Sequence, residues 1–168
     1  MPSNQEEGFE LLADGNVNDF NSWRMKNLIV KLDFGGRNLS GKNVSGAFLN
    51  GVVADGANFS HANLVGVNFV QASLNGANFG GADLSEALLM YTEMKDAILT
   101  NANLLKSNLM WANLQNADLT ACKLSQTVFV EANLQGAKVS GTDKKGAYLK
   151  YAKLDGSSWL EAVPEKTH

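Results

Sequence analysis

The sequence predicts an all-β solenoid, and three regularities carry the prediction. From Phe34 to Trp159 a bulky residue recurs at every fifth position, as in Leu64, Phe69, Leu74, Phe79, Leu84 and Leu89. Two residues before most of these centres stands a small residue, usually Ala, as in Ala62, Ala72, Ala77, Ala82 and Ala87. No proline interrupts the series, because the two prolines are Pro2 and Pro164. A period of five fits neither the 3.6 of a helix nor the 2 of a flat strand. It fits a chain that turns a corner every five residues. Each unit then sends one large and one small side chain into a narrow shaft.

The other positions of the unit follow from that geometry. Glycines such as Gly41, Gly46, Gly51, Gly56 and Gly66 fall at the corners. Asn or Asp often precedes the centre, as a short polar side chain beside the corner. Thr92, Ser107, Cys122 and Thr127 take the small position. Cys122 is therefore expected as a buried filler, since free cysteine packs as a small hydrophobe. Units such as Ala102-Asn103-Leu104-Leu105-Lys106, Ala112-Asn113-Leu114-Gln115-Asn116 and Ala117-Asp118-Leu119-Thr120-Ala121 resemble those of the pentapeptide repeat proteins. The resemblance covers residues 29–159. It implies a right-handed, quadrilateral β-helix with four pentapeptides per coil of twenty residues. At ~4.8 Å per coil such a rod is roughly 30 Å long.

A solenoid has two open ends and needs caps. Residues 1–28 read as a short N-terminal helical cap, 29–159 as the rod and 160–168 as a C-terminal tail. A helix over 3–14 would start with a capping box of Ser3 and Glu6 and stop at Gly15. A second would run over 17–26, with Phe20 and Trp23 plugging the shaft. Leu11-Leu12, Gly15 and Phe20-Asn21-Ser22-Trp23-Arg24 are similar to leaders that precede pentapeptide repeats. At the other end Trp159, Leu160 and Val163 are available to cap or to dimerise. Lys144 stands at a centre, where an unpaired charge cannot be buried. Either the coil opens there as a local bulge over 142–146, or Lys144 lies near the C-terminal mouth and snorkels to water; the bulge is the favoured expectation.

A coil of twenty stacks residues twenty apart. Three faces of the rod then look bland outside, with exceptions such as Val65 and Leu105. The fourth does not. Around the centres Leu49, Phe69, Leu89, Leu109, Phe129 and Leu149, the outward positions hold Phe48, Val70, Leu88, Met90, Tyr91, Met110, Trp111, Val128, Val130, Tyr148 and Tyr151. Met90 should lie under Met110, and Tyr91 under Trp111. Methionine and aromatics are enriched where proteins bind each other, and a large exposed apolar patch marks an interface. The occupants to be weighed are another protein, a second copy paired about a two-fold axis, or the chain's own ends. Those ends offer Phe9, Phe20 and Trp23, or residues 158–168.

No chemistry emerges. His61 and His168 have no Cys or His at metal-ligand spacing, and no Gly-rich phosphate loop with its lysine is present. No cofactor, metal or small-molecule substrate is expected. A net charge of -3 over 168 residues does not call for nucleic acid or a membrane surface. No stretch approaches the ~20 apolar residues of a membrane span. One cysteine and a start without a signal-peptide pattern lead to the expectation of a cytoplasmic protein. The function expected is a non-enzymatic scaffold or adaptor that binds protein through the apolar face, with homodimerisation as one form. The alternative comes from the resemblance: some members of the family protect DNA gyrase as acidic rods that mimic B-form DNA. This chain departs from them. Between Phe34 and Trp159 nine acidic residues stand against ten basic ones, and no projecting loop interrupts the register.

Overall fold

The computed structural model describes residues 4–160. Helix α1 is Asn4–Ala13 and α2 is Val17–Lys26. The left-handed Gly15 ends α1, at φ 77°. Its N–H donates to the Leu12 carbonyl and the Asn16 N–H reaches back to the Leu11 carbonyl, which together close the helix as a Schellman motif. Trp23 packs against Gly8, where a Cβ would come within 2.7 Å of the indole ring. Glu6 pairs with Arg37 of the first coil rather than being free for a cap. Ser3, its expected capping partner, lies outside the described residues.

From Asp33 onward every fifth residue bridges in parallel to the residue twenty positions later, from Asp33↔Val53 to Asn133↔Lys153. Four such columns make one coil. Each bridge carries two backbone bonds, such as Leu89 N–H to the Asn108 carbonyl at 2.8 Å and Asn108 N–H to the Ala87 carbonyl at 2.9 Å. Among the described rod residues the bridges are isolated, and no strand forms. The corner explains this. Every fifth residue from Gly36 to Gly156 has a positive φ, whether it is glycine, His61, Tyr91 or Trp111. A left-handed residue cannot belong to a strand, so the extended run between corners is too short for more than one bridge.

The recurrent Asn and Asp hold the corner from outside. Asn58 Oδ1 accepts from the Ser60 N–H, Asn68 from Val70, Asp83 from Ser85 and Asn108 from Met110, all near 3.0 Å. These are Asx turns, in which the side chain stands in for a backbone turn. Inside, centres and small residues from Leu39 to Val139 form one core with almost no solvent contact. Phe59 and Phe79 stack at 5.1 Å, and Phe69 meets both edge-on. The hydroxyls of Thr92, Ser107 and Thr127 donate to nearby carbonyls, so these three cost the shaft no unpaired group; at the C-terminal end the buried Ser157 hydroxyl has no partner.

Both ends are plugged by aromatics. Phe20 and Trp23 stack at 5.9 Å at the N-terminal end, and Phe9 meets Phe34 edge-on. Asn21 acts as a substitute rung: its amide donates to the Gly46 carbonyl and its Oδ1 accepts from the Phe48 N–H. At the other end a 3-10 turn, Ser158–Leu160, sets Trp159 edge-on against Phe129. Lys144 corrects the expected bulge. The bridges Lys123↔Asp143 and Val128↔Tyr148 pass through it in register. Lys144 needs no bulge because among the described residues it tops its column, with its stem half-buried and its ammonium 5.0 Å from the Trp159 ring. Val163 and the rest of the tail lie outside the described residues.

Candidate functional site

The alternation of buried and outward residues places all eleven expected wall residues on the outer surface of one side of the rod. Phe48, Leu88, Tyr91, Trp111, Tyr148 and Tyr151 are exposed; Val70, Met90, Met110, Val128 and Val130 are half-buried. The column just before the centres is continuous through the bridges Phe48↔Asn68, Asn68↔Leu88, Leu88↔Asn108, Asn108↔Val128 and Val128↔Tyr148. Five steps of ~4.8 Å make the wall about 24 Å tall. Asn68 and Asn108 interrupt it, with their Oδ1 atoms turned onto the backbone.

At its middle Tyr91 and Trp111 stack face to face, 4.8 Å apart and 8° from parallel. Both occupy the left-handed corner, at φ 59° and 57°. A bulky residue there is a backbone outlier, and most corners toward either end of the rod are glycine. Tyr151 lies two coils above Trp111 in the same corner column, beyond the exposed Glu131, with the Lys150 ammonium 5.0 Å from its ring. The N-terminal helices do not cover the wall: Phe9, Phe20 and Trp23 are committed to Phe34, to each other and to the core. Asn21 touches only its lower edge, at Phe48.

The sequence reading passed over two further apolar spots. Ile98 is exposed at the bridge position of another face, and Met25, Leu28 and Ile29 are exposed where α2 leads into the rod. The run Leu28-Ile29-Val30 was visible as unpatterned apolar sequence. The sequence reading also passed over a cleft beside the wall, lined by Leu105, Lys106, Ser125, Gln126, Lys145 and Tyr148. Cys122 is buried, its thiol donates to the Leu99 carbonyl, and burial pushes its pKa up to about 12. His61 is exposed on a corner and lies over Gly81. Among the described residues no three His, Cys, Asp or Glu side chains gather as a metal site. Among the described residues no helix is long and apolar enough to cross a membrane.

Several solved structures are similar to this chain. A trypsin-treated form of QnrB1, a plasmid-mediated fluoroquinolone resistance protein, is 23% identical over 75% of this chain and 67% of its own, with a TM-score of 0.42. HetL, a pentapeptide repeat protein involved in heterocyst differentiation regulation in the cyanobacterium Nostoc, is 25% identical over 76% and 78%, at 0.33. A pentapeptide repeat protein of the Arabidopsis thaliana thylakoid lumen is 29% identical over 60% and 66%, at 0.35. No curated protein sequence matches the chain. The family model for pentapeptide repeats matches residues 33–71, 68–104 and 107–143, which is most of the rod, and the chain belongs to the pentapeptide repeat family.

Proposed function

We propose that this chain is a non-enzymatic scaffold that binds protein through the Met/aromatic wall, on a rod coiled right-handed. One observation carries the reading: an apolar wall about 24 Å tall, by the ~4.8 Å step, stands outside the core with a stacked Tyr91–Trp111 pair at its middle. Rigid aromatics beside adaptable methionines are the composition of binding hot spots. Helices α1 and α2 pack at the end of the rod and leave the wall free for a partner. A DNA-mimic role in gyrase protection needs dense negative charge, and a rod with nine acidic and ten basic residues does not supply it.

The test compares the parent with Met90→Asp/Trp111→Asp. Random-peptide display against both should enrich binders on the parent that the variant fails to hold, while circular dichroism stays unchanged. Light scattering reads the other occupant. A mass near twice 18.0 kDa that falls to 18.0 kDa in the variant would mean that the wall pairs copies. Equal binders and equal mass for both proteins would refute the wall as the interface.

A further inference from the structure

The cleft beside the wall is built by the twenty-residue stack. Leu105, Ser125 and Lys145 share one outward column, and Lys106, Gln126 and Gly146 share the left-handed corner column next to it. The middle rung holds Gln126 and Ser125, whose Oγ donates to Asp143 Oδ2 at 2.7 Å; on the rung above, Lys145 stands beside Gly146, which offers no side chain. A recess remains between Lys106 below and Lys145 above, shouldered by Leu105 and Tyr148. Tyr148 belongs to the wall as well, so cleft and wall are continuous.

Among the described residues neither Lys106 nor Lys145 forms an ion pair. Two carboxylates are at hand: Glu86, one coil below Lys106 in the same corner column with its N–H on the Leu105 carbonyl, and Asp143. The oxygens of Asp143 accept from the Ser125 hydroxyl and from the Lys145 backbone N–H at 3.1 Å, and its pKa is lowered first by that hydroxyl, with the Lys145 charge the smallest cause. Lys150 adds a third ammonium at the same end of the wall.

A second copy does not satisfy these lysines. A two-fold axis along the rod would set Lys145 and Lys150 against themselves. A two-fold axis across the wall would set them against the partner's lower wall. There the outward positions are Phe48, Asn50, Gly51, Asn68, Val70 and Gln71, with no carboxylate. A phosphate track fits poorly too, because Glu93 and Glu131 flank the stacked aromatics in the repeat.

We propose that the wall and the lysine cleft form one docking surface for a different protein, through a segment that sets acidic side chains beside apolar ones. The proposal rests on the wall reading and adds the charge of the partner. Its apolar side chains seat on Met90, Met110 and Trp111, and a carboxylate enters between Lys106 and Lys145.

The test uses random peptides of about twelve residues, which when extended reach roughly 40 Å, enough to span both features. They are selected on the full chain, then synthesised and titrated against the parent, Lys106→Glu/Lys145→Glu, Lys106→Gln/Lys145→Gln and Met90→Asp/Trp111→Asp. Unfolding midpoints of all four report folding, and the milder Gln pair keeps the test valid if the Glu pair fails to fold. The selected peptides should carry Asp or Glu next to aromatic or aliphatic residues. Reversing the two lysine charges should weaken them by about tenfold or more. Raising salt from ~50 to ~500 mM should weaken them in the same direction. Wall-dependent peptides without acidic bias, indifferent to the lysine variants, would overturn the proposal and leave the wall standing. No enrichment on the parent would overturn both. Preference for an oligothymidylate over the acidic peptides would overturn it in favour of nucleic acid.

Discussion

Replacing Trp111 in two ways separates what the indole does from what its backbone costs. Trp111→Ala and Trp111→Gly remove the same side chain from a position at φ 57°. Trp111 is 41% exposed, so a little over half of its surface is covered. An aromatic that buries 150–250 Å² in full, at ~25 cal/mol per Å², then loses about 2–4 kcal/mol on truncation. The stack on Tyr91 adds about 0.5–1.5 kcal/mol to the loss. Both variants share these terms. They differ at the corner. A left-handed L-residue costs roughly 1–2 kcal/mol that glycine avoids, while glycine gives up about 0.5–1 kcal/mol in chain entropy. Trp111→Gly should therefore be the more stable by about 0.5–1 kcal/mol, the reverse of the order in a helix or strand interior. Ala121, at φ 58°, is the control, and Ala121→Gly should stabilise by a similar amount. Urea unfolding followed by circular dichroism reads all three. Equal or greater stability for the alanine variant would mean that the corner is not left-handed in solution. The assignment of Tyr91 and Trp111 as outliers would go with it.

Three further outcomes follow from the ends and the core. Asn21→Ala removes two bonds to the first coil, worth about 1 kcal/mol each; because solenoid stability is a sum of neighbour terms, the Phe48 amide should lose hydrogen-exchange protection while Leu109 keeps its own. Lys144→Leu should keep or slightly raise the melting temperature, because a centre position gains an apolar residue in place of a contact of about 0.5–1 kcal/mol with Trp159; a clear fall would show that the ammonium has a stronger role. Cys122, buried with a pKa raised from 9.0 to about 12, keeps its proton in the fold longer than in the open chain. Its contribution is whole below pH 9.0 and is lost as pH rises toward 12, at about 1.4 kcal/mol per unit. Cys122→Ala should flatten that slope in alkaline unfolding curves.

Most of the coil was legible because one period governs it. Once residues twenty apart are known to stack, the columns of the wall can be written from sequence, and Tyr91 under Trp111 follows. The absence of strands was not legible. It depends on φ at the corner, and the residues there change from glycine to Glu86, Tyr91, Asp96 and Lys106 without a change of conformation. A reader who takes glycine as the sign of a corner loses the sign in the middle of the rod. Lys144 misled for a related reason. Charge at a centre predicts a bulge only where another coil stacks above, and the sequence alone did not show that Trp159 closes the shaft there.

The cleft shows how a repeat can hide a site from a reading that looks for motifs. Lys106 and Lys145 are 39 residues apart and belong to different columns, so no local spacing joins them. What joins them is the stack of coils: on the rung between, Ser125 is tied to Asp143, Gly146 beside Lys145 has no side chain, and both lysines line one cleft. In a solenoid the fold needs little from the outward positions, so variation there is where partners can be recognised. The fold asks the corner only to be left-handed, and glycine answers that at least strain. A tyrosine and a tryptophan placed on such corners, stacked and half in water, fit a demand from outside the fold. Under the docking proposal, the lysine recess one corner away matches an acidic side chain of what makes it.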